Sequence, residues 1–314
     1  MKILYVADSG IQKEQLEAIR MHLPAGWEIR DDASGAEAIL TENVSVSSEM
    51  LKKCSSSLKY IFKLEPGKAE ITSGTYELIH CENTGLIGVA EHAVMLMLAL
   101  SRHFLWVTGQ TARGEWVEGK DQPILTDQRK YTYNWIGLPS SDAIYAKTVG
   151  IIGLGYIGQE VAKRLKPFGV KLLYYDVQRQ SSEVEETLSI QYRELDDLLQ
   201  QADFVSLHHR FVDGPGGNDG QFGKREFALM KKNAYFINTA RGRLVNEADL
   251  VEALKSGEIA GAGLDVFRHE PLPKDDPLLA LANDRVILTA HVAGTYMPEA
   301  WQNTADQIIS YLEA

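Results

Sequence analysis

The chain has 314 residues, 45% of them hydrophobic and 24% charged, with a formal net charge of −11. That length suits two domains, each with enough apolar material for its own core. The acidic balance and the lack of a basic cluster exclude nucleic acid as a partner, and the most apolar run, Ala93–Leu100, is far too short to span a bilayer.

The N-terminal stretch MKILYVADSG reads as a strand and a turn, without the apolar core of a signal peptide. KEQLEAIRMHL follows as a helix with Leu16, Ile19 and Leu23 on one face. WEIRDD, EAIL and LKYIFKL are further strands, with the helix SSEMLKKC between the last two. This βαβ rhythm predicts a parallel sheet with covering helices. Residues 89–107 form one long helical pattern, apolar nearly all round and therefore buried. Residues 108–146 break the rhythm: they are polar and aromatic, with weak periodicity. Long irregular stretches in compact chains are usually functional or interfacial. Trp116, Tyr131, Tyr133 and Trp135 are costly to leave in water. The segment therefore reads as an arm packing on a second subunit, or as a loop folded back on its own domain.

From Thr148 the rhythm restarts. KTVGIIGLG is a buried strand entering a glycine turn, and strands and helices alternate from there to AGAGLDVF, RVILTAHVAG and the closing helix PEAWQNTADQIISYLEA. Cys54 and Cys81 are the only cysteines, and neither has metal-ligand spacing. No metal is expected, and two free thiols point to a reducing compartment, the cytoplasm.

The glycine turn is Gly153-x-Gly155-x-x-Gly158, and Asp176 ends the next strand 18 residues on. A bare pattern of this kind is weak; with strand, helix and acidic residue in register it predicts a dinucleotide site. Gly153 permits the tight turn, Gly155 lets backbone approach a pyrophosphate, and Gly158 lets helix and strand sit close. The helix N-terminus presents N–H groups to the phosphates. Asp176 accepts from ribose hydroxyls and repels a 2′-phosphate, which favours NAD over NADP; Arg179 softens that preference. Tyr156 and Ile157 within the turn, and His208, Thr239 and Ala240 near later strand ends, are further candidate cofactor contacts.

Arg241, Glu270 and His291 each lie at or just past a strand end. Ligands of open parallel sheets bind beyond those ends, so the three can share one crevice. Reducing a keto acid takes a hydride from a nicotinamide and a proton from a group titrating near neutrality, the natural role of histidine. A guanidinium matches the paired oxygens of a substrate carboxylate. A carboxylate bonded to the histidine fixes its tautomer and stabilises the imidazolium. Alone, each residue has a blander reading: a surface arginine, a glutamate before a loop, a satisfied buried histidine. His208 and His209, also at a strand end, compete for the acid/base role.

VAEHAVMLMLAL, KTVGIIGLGYIGQEVAKRLKPFGVKLLYYD, ALMKKNAYFINTARGRLVNEADLVEAL, GAGLDVFRHEPLP and VILTAHVAG together resemble the D-isomer-specific 2-hydroxyacid dehydrogenases, from roughly Leu58 onward. The resemblance implies an α/β protein of two similar domains with parallel sheets. A Rossmann cofactor domain (103–289) is inserted into a flavodoxin-like substrate domain (1–102 and 290–314), and 108–146 is the dimerisation arm of a homodimer. It implies catalytic Arg241, Glu270 and His291, a nicotinamide contact at Asp265, NAD as cofactor and a 2-keto or 2-hydroxy acid as substrate. Gly67 and Lys68, in the family's substrate loop, join Arg241 and His291 as candidate substrate contacts.

The chain departs from the family pattern at that loop. EPGKAEIT places Glu65, Ala69 and Glu70 where glycine, aspartate and asparagine are usual, and the loop RFVDGPGGNDGQ after VSLHH is longer and richer in glycine. A formate-type dehydrogenase lacks the glutamate partner of the histidine, so Glu270 counts against it. The long phosphoglycerate dehydrogenases carry a regulatory domain, for which nothing follows residue 314. An NADH-sensing, corepressor-like binding protein is the alternative of another class.

Overall fold

Runs of aliphatic residues closed by glycine and polar turns form parallel strands, and the amphipathic runs between them form covering helices. The structure, a computed structural model, describes all residues except 8–10, 12, 55, 66–68, 83–85, 140, 283–284, 295–297 and 314. In chain order the elements are β1 (Lys2–Val6), α1 (Lys13–His22), β2 (Trp27–Arg30), β3 (Ala38–Thr41), α2 (Ser48–Lys53), β4 (Tyr60–Glu65), β5 (Glu77–Glu82), α3 (Ile87–Ser101) and α4 (Phe104–Arg113). There follow β6 (Thr148–Ile152), α5 (Tyr156–Leu165), β7 (Lys171–Tyr175), α6 (Ser182–Leu188), β8 (Ile190–Tyr192), α7 (Leu195–Gln201) and β9 (Phe204–Leu207). The last are α8 (Lys224–Leu229), β10 (Tyr235–Asn238), α9 (Glu247–Ser256), β11 (Gly261–Leu264), β12 (Val286–Leu288) and α10 (Pro298–Leu312). None of the described helices is long and apolar enough to cross a membrane.

The chain divides into two units, Met1–Ile87 with Tyr296–Ala314, and Gly88–Thr295. In the first, five parallel strands run in the order β2-β1-β3-β4-β5, the flavodoxin-like arrangement. The strand period of two divides its core. Leu40 and Phe62 face a cluster with Ile19 of α1 and Trp301, Ala305 and Ile308 of α10, whereas their neighbours Ile39 and Ile61 face the opposite side with Val46. Trp27 donates its indole N–H to the carbonyl of Leu312 at 3.2 Å, tying the chain's last helix to its second strand.

The second unit holds seven parallel strands in the order β12-β11-β10-β9-β6-β7-β8. From β6 the chain moves outward through β7 and β8, then returns to β9 on the other side of β6. The carboxyl ends of β6 and β9 form the switch point where such sheets bind ligands. Ile152 pairs with Leu207 there, so Gly153 and His208 leave the sheet side by side.

Three sequence expectations change. The pattern at 89–107 is two helices rather than one, because His103 takes a left-handed conformation (φ 50°) that an α-helix does not continue through. Residues 108–113 of the supposed arm belong to the second of these helices. The unit boundaries fall at 87/88 and 295/296 instead of 102/103 and 289/290. The reason is packing: Ala90, Ala93, Leu96, Met97 and Leu100 of α3 share a core with Val149, Ile151 and Ile237 of the larger sheet. Gly263 on β11 lets α3 this close, since a Cβ there would meet Leu96 at 3.0 Å.

Candidate active site

Each glycine of the turn does a different job. Gly153 has φ 92°, and a Cβ on it would lie 2.6 Å from the backbone nitrogen of His209. A Cβ on Gly158 would lie at 2.2 Å from the carbonyl oxygen of Gly153. A Cβ on Gly155 would meet no described residue within 4 Å, so among the described residues the turn opens onto free space there. Gly155 is also the N-cap of α5, and among the described residues no side chain caps that helix. Asp176 closes the turn from the next strand, its carboxylate accepting the Leu154 N–H at 2.8 Å.

Arg241, Glu270 and His291 come together at the carboxyl ends of β10, β11 and β12 in the same unit. His291 Nδ1 lies 2.6 Å from Glu270 Oε2. The other carboxylate oxygen of Glu270 accepts the Phe267 N–H at 2.9 Å. Burial alone would raise the Glu270 carboxyl; the bonds from His291 and Phe267 outweigh it and hold the group below its ordinary value, with Arg241 adding a favourable charge. A carboxylate only accepts, so Nδ1 carries the proton and Nε2 is the ring atom left to exchange one. Arg241 is exposed and is brought to this pair by Gly242: a Cβ there would collide with the backbone of Phe267 at 1.9 Å, and its absence lets the Arg241 turn lie against the loop that carries Glu270.

These features coincide with one family. The sequence model described as D-isomer specific 2-hydroxyacid dehydrogenase, NAD binding domain, matches residues 94–293. The chain belongs to this family. It is 38% identical over 204 residues to a glyoxylate reductase of Korarchaeum cryptofilum, covering 65% of this chain and 55% of that protein. With a glycerate dehydrogenase of Methylorubrum extorquens it shares 34% identity over 293 residues, covering 91% of this chain and 85% of the relative. The fold is similar to that of an NAD+-bound D-lactate dehydrogenase from Lactobacillus jensenii, with a TM-score of 0.63 and 25% identity over 98% of this chain and 94% of that one. The match spans about half the length of the first of these relatives.

The residues of this 2-hydroxyacid dehydrogenase family member fit a nicotinamide dinucleotide. Three buried polar atoms near the switch point lack a protein partner among the described residues: Nδ1 of His208, Nδ1 of His209 and the hydroxyl of Thr239. Buried groups of this kind are normally satisfied, and a polar ligand would supply what they lack. Tyr156 and Ile157 open α5, and Ala240 follows Thr239 at the end of β10. Burial, with a smaller effect of His209, lowers the His208 pKa to about 3, so its ring stays neutral, which makes it a poorer acid/base candidate than His291. His209 is lowered by burial too, and its Nε2 donates to Gln221 at 3.1 Å.

Asp265 is fully buried, and its carboxylate is engaged by the protein. It accepts from the Thr289 hydroxyl (2.6 Å) and from the N–H groups of Val292 (3.0 Å) and Ala293 (2.9 Å). Because the Thr289 proton points to Asp265, His92 Nε2 must donate to the Thr289 oxygen, at 2.9 Å. His92 and Thr289 are absent from the sequence reading. Their only signal is a polar side chain inside the apolar run VAEHAVMLML and one strand residue before the histidine turn.

Gly67 and Lys68, the sequence candidates for substrate contact, lie outside the described residues. Beyond them the unusual loop packs on its own unit: Ala69 is buried and donates its N–H to the Glu42 carbonyl at 3.0 Å.

Proposed function

We propose that the chain is an NAD-dependent reductase of small 2-keto acids to D-2-hydroxy acids, with His291 as acid/base, Glu270 as its partner and Arg241 as the substrate clamp. The 2.6 Å contact between His291 and Glu270, beside Arg241, carries this reading. Arg241 holds the keto-acid carboxylate and polarises its carbonyl. His291, protonated at both nitrogens, donates from Nε2 to the carbonyl oxygen as it gains charge; Glu270 stabilises the imidazolium and keeps the ring aimed. The nicotinamide, when bound, supplies the hydride. Gly153, Gly155, Gly158, Tyr156, Ile157, Asp176, His208, Thr239 and Ala240 would hold the cofactor, with the diphosphate at the N-terminus of α5. Asp176 favours the dinucleotide with free ribose hydroxyls.

The relatives named for glyoxylate and glycerate direct attention to short substrates. The test is NADH oxidation with glyoxylate, hydroxypyruvate, pyruvate and branched or aromatic 2-keto acids, followed by chiral analysis of the product. Turnover of at least one short keto acid, lost in Arg241→Ala while NADH still binds, is expected. Tight NADH binding with no turnover of any of them would favour a sensor instead.

The chain acts as a homodimer in the reducing cytoplasm. Residues 115–147 contain no helix or strand among those described, yet Trp116 and Trp135 pack edge to face at 6.0 Å and the Val117 N–H donates to the Trp135 carbonyl at 2.9 Å. This ordered segment leaves Leu125, Tyr131 and Tyr133 between 67 and 92% exposed, apolar surface that a second copy would cover. Light scattering of the parent and of Tyr133→Glu tests it; a monomeric parent would remove the dimer.

A further inference from the structure

The loop between β7 and α6 reads Asp176-Val-Gln-Arg179-Gln-Ser181. It runs beside the glycine turn: the Gln180 side chain donates to the Leu154 carbonyl at 3.3 Å, and Asp176 accepts from the Leu154 N–H. Arg179 is the cation of this loop. An arginine so placed after the strand-end acid is the group that accommodates a 2′-phosphate in dinucleotide sites. Here it is occupied. Its Nε and Nη2 donate to the two carboxylate oxygens of Glu185 on α6 at 2.8 and 2.9 Å. The guanidinium also lies over the ring of Tyr192, 5.4 Å from its centroid.

Glu185 is the less exposed partner, 15% against 63% for the arginine side chain. It is fixed independently, because the buried Tyr174 donates its hydroxyl to Glu185 at 2.7 Å while accepting the Gln180 N–H at 2.9 Å. Arg179 and Tyr174 together hold the Glu185 carboxyl down to about 2, so it is charged throughout the physiological range.

We propose that Glu185 is a specificity-determining residue for the cofactor: by holding Arg179 in a two-point ion pair against α6, it withholds the loop's guanidinium from a 2′-phosphate. This rests on the dinucleotide site argued above and adds a second determinant to Asp176. Asp176 repels the phosphate directly; Glu185 removes the group that would compensate. A two-point pair to a fixed carboxylate is the geometry in which arginine gives up least freedom per bond, so it competes well with an added phosphate.

The test is titration of NADH and NADPH against protein fluorescence, with binding and not turnover as the readout. Glu185→Gln keeps the shape and a partner for Tyr174 but removes the charge. It should tighten NADPH binding about tenfold, a gain of about 1.4 kcal/mol, and leave NADH within about twofold. Adding Arg179→Ala to it should abolish the gain. Arg179→Ala alone should leave NADPH affinity unchanged, because that guanidinium is already taken. The series repeated on Asp176→Asn should show a gain at least as large. No gain in either background, a gain that survives loss of Arg179, or weaker NADPH binding in Arg179→Ala alone would each overturn the proposal. A parent that binds neither nucleotide would instead remove the dinucleotide reading and the proposal with it.

Discussion

His291 donates its backbone N–H to the carbonyl oxygen of Asp265 at 2.8 Å, so the histidine proposed as acid/base hangs by its main chain from a buried aspartate one strand away. His291 itself has φ 53°, a left-handed conformation uncommon for a residue with a side chain. The carboxylate of Asp265 holds the turn in that shape through Val292 and Ala293.

Asp265→Asn should therefore act at a distance on His291. The amide has one oxygen where the carboxylate has two, so an NH2 group would face a buried donor. A mispaired buried group of this sort costs about 1–3 kcal/mol. Urea denaturation should show a lower midpoint, and turnover should fall further than stability does, because the left-handed turn relaxes first. Unchanged turnover would show that Asp265 does not set the histidine.

Glu270→Gln should separate the pair's electrostatics from its shape. The amide can still accept from Nδ1 but no longer stabilises an imidazolium. A loss of about 10²-fold in keto-acid turnover is expected, at the lower end of what a positioned acid/base contributes. The folded-state pKa of Glu270 is depressed, so its stabilising contribution is whole above the ordinary glutamate value of about 4.3 and is lost as pH falls through the lower folded value. Denaturation from neutral pH into that acid range should accordingly be steeper for the parent than for Glu270→Gln. Equal slopes would show that the ion pair adds nothing to the fold.

The glycine turn is legible in the sequence because backbone geometry dictates its residue types: a positive φ at Gly153 and the close approach at Gly158 admit only glycine. The joining of Glu270 with His291 is a different matter. It requires β11 and β12 to be neighbours, a long-range property that no periodicity encodes; strand-end position allowed a shared crevice, and the family resemblance then assigned the two residues their roles. The break at His103 is hidden, since the hydrophobic pattern runs straight across it and a single dihedral makes the difference. β5 escapes detection because Glu77, His80 and Glu82 give an edge strand a polar appearance. The Arg179–Glu185 pair crosses a loop–helix junction, where helical spacing rules do not apply.

His208 should leave a signature in the acid limb of stability. Its ordinary value is about 6.5, and burial brings the folded value to about 3. Between those two values the unfolded chain binds a proton that the folded one does not. Stability is thus full above the unfolded value and falls as pH drops toward the folded one, by up to about 1.4 kcal/mol per pH unit. His208→Asn should flatten the dependence between pH 6 and pH 4 (roughly, from the same two values) even if it lowers stability overall. An unaltered slope in urea melts would place the charged imidazole inside the fold.

The long loop after β9 is tethered by charge. Asp219 accepts from Arg243 at 2.5 Å and from Arg268 at 2.7 Å, while Arg243 also reaches Asp213 at 3.1 Å and lies over the Phe211 ring, 4.3 Å from its centroid. Arg243 stands two residues after Arg241, and Arg268 two before Glu270, so one loop carboxylate joins the two turns that carry the catalytic candidates. Exposed ion pairs contribute little to global stability, yet they choose among conformations of a glycine-rich loop. Asp219→Asn should leave the denaturation midpoint close to that of the parent and speed amide hydrogen exchange at residues 214–221, where local opening governs exchange. Raising the salt should speed exchange in the parent toward the variant's rate, because screening weakens the same contacts. Exchange that ignores both the substitution and the salt would mean that the loop is held by its own turns, such as the Asn218 side chain bonded to the Arg210 carbonyl at 2.7 Å, and not by the arginines beside the proposed catalytic residues.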